Sequence, residues 1–305
     1  SLSAGILEAW QAEGNPAGAI ALALVTLVIV LGLVAAERQL RQRSRRWSDG
    51  VGGGDATAWN LNGPRALTAQ LLALLPPALS LGIPLCWGAL NPDQLSQPQG
   101  DDLFVMVLRT FLLGLAAALL AVLASLILAL AKRWIEAGWL KGLTFLAGMG
   151  YAIPGTVLAL ALLFANAPWQ FSPIVLLLWG YSDRFLAVSK GGIDAALERI
   201  NPSLDEAATG MGLNWLQVLQ NVHLPLLRGP MTVGLLLVFV DTVKELPLTF
   251  ALRPFDFDTL SVRVYQYAGD ERLAEALLPA LMILVLGLLA SMALVPSLDQ
   301  ASSKD

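Results

Sequence analysis

The chain is poor in charged residues and contains one histidine and one cysteine. Charged side chains make up 14% of the 305 residues and hydrophobic side chains 56%, whereas a soluble domain carries about 25% charged residues. Because Cys86 is the only cysteine, no disulfide bond can form within the chain, and the single His223 excludes a metal site built from several histidines. We expect His223 to lie on a surface. The net charge of −4 gives no support to nucleic-acid binding.

Long apolar runs take up most of the remaining sequence. A helix needs about 20 apolar residues to cross the hydrocarbon core of a bilayer, and the sequence predicts seven such helices, so we expect an all-α integral membrane protein. Pro76-Pro77 is expected to bend or break the second span, and Pro154 interrupts the fourth. Asp183-Arg184 is expected to mark a helix end at the cytoplasmic surface. The predicted spans are 17–36, 67–90, 104–131, 143–165, 174–188, 231–251 and 274–295.

Lysine and arginine are distributed unevenly between the loops. Neither occurs in residues 1–16 or 91–102, and both are frequent after the first, third and fifth spans. Since short cytoplasmic loops carry an excess of lysine and arginine, we expect Ser1 outside, and the loop after the fifth span and the C-terminus in the cytoplasm.

Composition divides the chain into four parts. Residues 1–37 form an outer segment with one span, and residues 38–65 form a basic, glycine-rich linker. Residues 66–297 hold the other six spans, and residues 298–305 form a cytoplasmic tail. We therefore expect one six-span domain that includes a cytoplasmic loop, residues 201–226.

This loop has local signals for two short helices with a turn between them. Ser203 and Glu206 have the spacing of a capping box at a helix start. Gly212 can adopt the left-handed conformation that ends a helix. Asn214 can cap a second helix, which Pro225 is expected to end.

The same loop resembles the EAA loop of ABC-importer permeases, the cytoplasmic segment that docks into the ATPase. The resemblance rests on Glu206-Ala207-Ala208, on Gly212 and on Val222-His223-Leu224-Pro225 at their relative spacings. It implies a permease subunit that is not itself an enzyme, with ATP hydrolysis on a separate chain. Gly210-Met211-Gly212 is no nucleotide loop, because no Gly-Lys-Ser/Thr follows it. The resemblance assigns docking to Glu206, Ala207, Ala208, Gly212, Val222, Leu224 and Pro225.

A narrower resemblance, over residues 67–295, is to the second half of ferric-iron importer permeases. The segments that carry it are 150–156, 197–206, 244–247, 252–255, 258–260 and 270–272. In that family two homologous six-span halves pair, so residues 1–37 resemble the end of a preceding half. The resemblance implies a bacterial inner-membrane importer with two cytoplasmic ATPase subunits, an extracytoplasmic binding protein, a second permease half and surrounding lipid, and no cofactor. Thiamine, polyamine and phosphonate importers share this architecture. A non-transporting scaffold for an ATPase and an ion-driven secondary transporter are alternatives from other classes.

Three charged residues occur together in the sixth predicted span. Asp241, Lys244 and Glu245 are spaced to share one face of a helix. A charge at the centre of a bilayer costs at least about 2.5–3.5 kcal/mol, so this face should point into the helix bundle or a water-filled cavity. Arg109 in the third span is a candidate counter-charge. The four residues are either a buried salt-bridge cluster or, through the carboxylates, part of the route of a hard cation such as ferric iron; no firm metal site is expected.

Overall fold

The computed structural model describes residues 5–6, 8–43, 62–92, 102–135 and 137–302. Within these ranges the chain forms helices joined by turns, and no strand occurs. The α-helices are α1 Pro16–Arg43, α2 Pro64–Leu90, α3 Asp102–Trp134, α4 Gly138–Ala147, α5 Gly155–Asn166, α6 Pro173–Arg199, α7 Ser203–Gly210, α8 Trp215–Val218, α9 Leu224–Val243, α10 Pro247–Leu252, α11 Leu260–Gly269 and α12 Leu273–Ser302. Two short π-helices, Glu8–Ala12 and Leu219–His223, accompany them.

The expected all-α membrane fold is confirmed, although the number of spans is not. Five helices in the described ranges are long and apolar enough to cross a membrane, namely Pro16–Glu37, Pro64–Leu90, Leu103–Trp134, Trp215–Val243 and Leu273–Ala293. The fourth predicted span is divided into α4 and α5, and α5 has only 12 residues. Most of the predicted linker, residues 44–61, lies outside the described ranges.

Three local expectations about the spans are wrong. The break expected at Pro76-Pro77 does not occur, because α2 is continuous from Pro64 to Leu90, while the bend expected there stays a prediction. Asp183-Arg184 lies within α6 rather than at its end, and Arg184 has partners inside the bundle, the Ile153 carbonyl and the Glu245 carboxylate. The sixth predicted span is broken between Val243 and Pro247. Pro247 has no N–H group to donate to the Val243 carbonyl four residues earlier, and its ring would clash with that carbonyl, which explains why the helix ends at Val243.

The core of the domain lies between α3, α6 and α9. Small residues of α3, Ala117 and Ala121, allow close packing against Leu177 and Tyr181 of α6 and Val238 of α9, and all five are almost fully buried. A second cluster of buried residues continues this interface towards the predicted cytoplasmic loop. It comprises Val122, Leu126, Ala129, Leu130, Ile193, Leu197 and Leu227. The three helices therefore form one packed block beneath that loop.

Other helices pack around this block. Helix α12 contacts α9 and α11, and α10 contacts α5. Helix α1 packs on α5, where Ala19 and Ala23 lie against Val157 and Leu160. Most of α2 is exposed, with Gly88 its only buried residue.

Candidate functional site: the docking loop and the buried charges

The loop between α6 and α9 is a helical elbow. Helix α7 ends at Gly210, and the chain turns at Gly212, whose φ of 85° lies in the left-handed region that favours glycine. The Gly212 amide donates to the Thr209 carbonyl at 2.9 Å, and the Leu213 amide donates to the Ala208 carbonyl at 3.2 Å. These bonds satisfy the last carbonyls of α7, so the turn predicted at Gly212 is confirmed.

One of the two predicted helix caps is present. The Asn214 side chain accepts from the Gln217 amide at 2.9 Å, while the Gln217 side chain accepts from the Asn214 amide at 2.9 Å. The cap predicted at Ser203 is wrong, because Ser203 is already the first helical residue and makes no side-chain cap. Asn201 takes this part instead, since its side-chain oxygen accepts from the Ser203 amide at 3.0 Å.

Pro225 does not end the second helix, contrary to expectation. A π-turn over Leu219–His223 connects α8 to α9, and the Leu224 amide donates to the Leu219 carbonyl five residues earlier. Pro225 then lies in the first turn of α9, where its missing N–H group leaves no carbonyl of α9 unsatisfied. The part of the loop after the Gly212 turn and the following span are therefore one continuous helical segment, Trp215–Val243.

The elbow presents an apolar surface. Among the predicted docking residues, Glu206, Ala207, Gly212 and Pro225 are exposed, Val222 and Leu224 are half-buried, and Ala208 lies on the buried face of α7. Sequence reasoning did not select four large apolar residues that are also exposed: Leu204, Met211, Trp215 and Leu216, of which Met211 is 75% and Trp215 63% accessible. Exposed aromatic and methionine side chains are enriched at protein interfaces. The pattern in the sequence that could have identified them is the occurrence of large apolar residues on both sides of the Gly212 turn. We call Leu204, Met211, Trp215 and Leu216 the elbow surface.

His223 is buried, which corrects the expectation of a surface position. It has no accessible surface. Its Nε2 atom lies 3.1 Å from Asp205 Oδ1, and its ring meets that of Trp134 edge-on at 5.5 Å. The residue therefore attaches the loop to the end of α3.

The charged residues of the sixth predicted span do not share one helix face. Asp241 and Lys244 form an ion pair at 2.8 Å at the end of α9, and the Lys244 side chain is 62% exposed. Glu245 lies beyond the helix end and is buried, with its carboxylate 3.4 Å from Arg184 of α6. The helix break before Pro247 separates the two pairs.

Arg109 is not the counter-charge of these carboxylates. Its guanidinium donates to the Asp256 carbonyl at 2.9 Å and lies 4.8 Å from the centre of the Phe257 ring. The actual partner of Glu245, Arg184, is 61 positions away in sequence, and no spacing rule connects the two.

Hydrogen bonds and tight packing fix the Glu245–Arg184 pair. Glu245 Oε1 accepts from the Leu248 amide at 3.3 Å, and Arg184 donates to the Ile153 carbonyl at 2.6 Å. A Cβ atom added at Gly155 would lie 2.8 Å from Glu245 Oε1, and one added at Gly150 only 2.2 Å from the Asp183 carbonyl oxygen. The segment that resembles ferric permeases, residues 150–156, is thus the surface that encloses the buried pair.

Within the described ranges, no group of three or more His, Cys, Asp or Glu side chains could hold a metal ion. Asp241 and Glu245 each have a cationic partner within the chain. The geometry is that of two separate ion pairs, one with an exposed lysine and one with both members buried.

Sequence comparisons match the chain to transport permeases. It is 26% identical over 219 residues to the Fe(3+)-transport system permease protein FbpB 2 of Haemophilus influenzae, which covers 68% of this chain and 42% of that protein. It is 25% identical over 191 residues to a putative 2-aminoethylphosphonate transport system permease protein, PhnV, of Salmonella typhimurium, covering 62% of this chain and 72% of that protein. No protein-family model matches. The chain spans less than half the length of the ferric relative.

A structural comparison identifies the fold. A crystal structure of a bacterial ABC transporter involved in the import of the acidic polysaccharide alginate matches with a TM-score of 0.52 at 17% identity, covering 76% of this chain and 95% of that one. These findings confirm the resemblance to ABC-importer permeases of the ferric-iron type and the all-α permease fold.

Proposed function

We propose that the chain is the membrane-spanning part of an ATP-driven importer for ferric iron. An extracytoplasmic binding protein delivers the iron, and two copies of a separate cytoplasmic ATPase drive transport by alternating access. Residues 201–226 form the contact with the ATPase. The protein lies in a bacterial inner membrane, with this loop and the C-terminus in the cytoplasm.

The observation that carries this proposal is the elbow itself. A turn closed by Gly212, two helices with satisfied ends and the exposed elbow surface together form a rigid projection with nothing in the described chain to cover it. Rigid, pre-shaped surfaces bind with a smaller entropy cost than surfaces that must first become ordered. The order of Glu206, Ala207 and Gly212 along this projection matches the docking loop of ABC importers.

Two glycines beside each other provide a matched test of docking. Gly210 and Gly212 are both exposed, and a Cβ atom would meet no other atom at either position, but only Gly212 has a positive φ. Gly212→Val should therefore distort the elbow, while Gly210→Val should leave its shape unchanged. We expect Gly212→Val to lose co-purification with the ATPase and Gly210→Val to retain it. Full co-purification and uptake in Gly212→Val would refute the docking function.

The chain carries one such loop in its sequence. A pair of ATPase subunits presents two docking sites, so we propose that a homologous half or a second copy of the chain completes the transporter. Native mass spectrometry of the active complex should show two permease halves for two ATPase subunits. An active complex with one half and one ATPase would contradict this arrangement.

Ferric iron is the proposed substrate because the ferric relative is similar over 68% of the chain. A phosphonate is the second candidate, supported by the similarity to PhnV. Vesicles that contain the permease, the ATPase and the binding protein should take up labelled ferric iron and leave labelled 2-aminoethylphosphonate outside. Uptake of the phosphonate alone would reverse this assignment.

For the pathway, we propose Asp241 with Lys244, and not Glu245 or Arg109. At 1.5 Å per residue along the helical segment Trp215–Val243, Asp241 lies about 27 Å from His223 in the docking loop. Asp241 is therefore far from the proposed ATPase contact. A carboxylate held by an exposed lysine can exchange that partner for a passing cation, whereas Glu245 is enclosed by its hydrogen bonds. Asp241→Asn should reduce uptake without destabilising the protein, and unchanged uptake would exclude Asp241 from the pathway.

A further inference from the structure

Four side chains join the docking loop to the end of α3. They are Arg133 and Trp134 from α3, Asp205 from α7 and His223 from the π-turn, and we call them the α3 joint. Arg133 Nε donates to Asp205 Oδ2 at 2.7 Å, and the other oxygen of that carboxylate lies 3.1 Å from His223 Nε2. The ring of Trp134 packs edge-on against that of His223. A single carboxylate thus connects three separate parts of the chain.

The side chains of the α3 joint are largely buried, and several directed hydrogen bonds hold them in place. The Arg133 and Asp205 side chains retain 13% and 18% of their accessible surface, and His223 retains none. The Arg133 guanidinium also donates to the carbonyls of Leu197 and Ile200, each at 3.0 Å, at the end of α6. Charge-assisted hydrogen bonds from a planar guanidinium fix orientation as well as distance. The loop and α3 therefore cannot move separately without breaking several buried bonds.

This connection matters because α3 is not adjacent to the loop in the chain. The loop follows α6 and continues into α9, so only those two helices receive its motion through covalent bonds. The adjacent ion pair, Lys132–Glu198, is longer at 3.5 Å and solvent-exposed, so it contributes little. Polar attachment of α3 to the loop depends on the α3 joint.

The opposite end of α3 is attached to the segment that follows α10. Arg109 donates to the Asp256 carbonyl at 2.9 Å, and the Leu260 amide donates to Thr110 Oγ1 at 3.0 Å. Arg109 and Arg133 are about 36 Å apart along one unbroken helix, at 1.5 Å per residue, which exceeds the bilayer core of about 30 Å. Phe255 beside this attachment is 95% exposed. Helix α3 thus connects the docking loop with an exposed segment at the other end of the bundle.

We propose that α3 is a rod that transmits motion of the docking loop to the segment around Phe255, with Arg133 and Arg109 as the positioning residues at its two ends. The inference rests on the proposed docking of the loop to an ATPase. Of the two helices joined covalently to the loop, α9 is interrupted, because it ends at Val243, before Pro247. Helix α6 is bonded to the same Arg133 through Leu197 and Ile200, so its end moves together with α3. An unbroken helix held at both ends transmits displacement better than a chain with such a break.

Two single-cysteine probes test this inference in the assembled transporter. With Cys86 replaced by serine, Asn221→Cys places an environment-sensitive fluorophore on an exposed position of the loop outside the elbow surface, and Phe255→Cys places one at the other end. Addition of a non-hydrolysable ATP analogue should change the signal at both positions. No change at Asn221 in the parent protein would show that the loop does not follow the ATPase, which refutes the docking function and the rod together.

Removing the arginine that holds either end of α3 should reduce the fluorescence response at Phe255 without reducing the response in the docking loop. In Arg133→Ala and in Arg109→Ala, the response at Asn221 should persist, while that at Phe255 should fall at least about five-fold, the lower end of typical coupling between linked sites. Lys132→Ala, which removes only the exposed ion pair, is the matched control and should change neither signal. Arg109→Ala keeps the test decisive if Arg133→Ala does not fold. A full response at Phe255 in Arg109→Ala, with the ATPase bound, would overturn the rod while leaving the docking function intact.

Discussion

Breaking the buried pair between Glu245 and Arg184 should destabilise the membrane domain strongly. Both side chains are more than four-fifths buried, and the pair connects the break after α9 to the middle of α6. Replacing Glu245 by glutamine preserves an oxygen for the Leu248 amide but leaves the Arg184 charge without its partner. Removal of one member of a buried ion pair costs about 3–5 kcal/mol, because the remaining charge stays desolvated. Arg184→Gln should cost a similar amount for the same reason.

The double variant decides whether the pair itself is responsible. With both charges removed, no uncompensated charge remains, so Glu245→Gln with Arg184→Gln should be less destabilised than the sum of the single variants. Lys132→Ala is the control, since it removes a solvent-exposed ion pair with Glu198 that is worth about 0–1 kcal/mol. Thermal unfolding of detergent-purified protein, measured beside its insertion into membranes, gives the four values. Single variants no less stable than Lys132→Ala, or strictly additive losses, would refute the reasoning.

Three further predictions concern local structure. Gly150→Ala should destabilise the domain by about 1–3 kcal/mol, because its Cβ would overlap the Asp183 carbonyl, whereas Gly142→Ala meets no neighbour and should be neutral in the same unfolding assay. Asn214→Ala removes a helix cap and should cost about 1 kcal/mol in the same assay; no loss would mean that the capping box is not formed in solution. Trp215→Ala should weaken binding of the ATPase by more than about 1 kcal/mol, as for truncated interface aromatics, without changing thermal stability; unchanged affinity in a titration would remove Trp215 from the interface.

The features that could be predicted from the sequence are those decided by residues close together along the chain. Apolar length identified α2, α3 and α12, although each extends beyond its predicted bounds. Gly212 and Asn214 were predicted because a left-handed turn and a helix cap are decided within a few residues. The charge distribution gave an orientation that remains a prediction. These signals were sufficient to define the elbow and its resemblance to a docking loop.

Features that depend on distant partners were not predictable. Glu245 pairs with Arg184 and not with Arg109, because the fold brings α6 to the break after α9. The burial of His223 depends on Asp205 and Trp134, which no periodicity relates to it. The break itself could have been found, since Pro247 cannot donate to the carbonyl four residues earlier and a helix interior does not tolerate it. The π-turn before Pro225 had no comparable signal.

The central property of the proposed importer is transport that requires a separate ATPase. Vesicles containing the complete permease should take up labelled ferric iron only when ATP, the ATPase and the iron-loaded binding protein are all present. Gly212→Val should abolish that uptake, and Gly210→Val should preserve it. Uptake without the ATPase, driven by a proton or sodium gradient, would contradict the account and identify a secondary transporter.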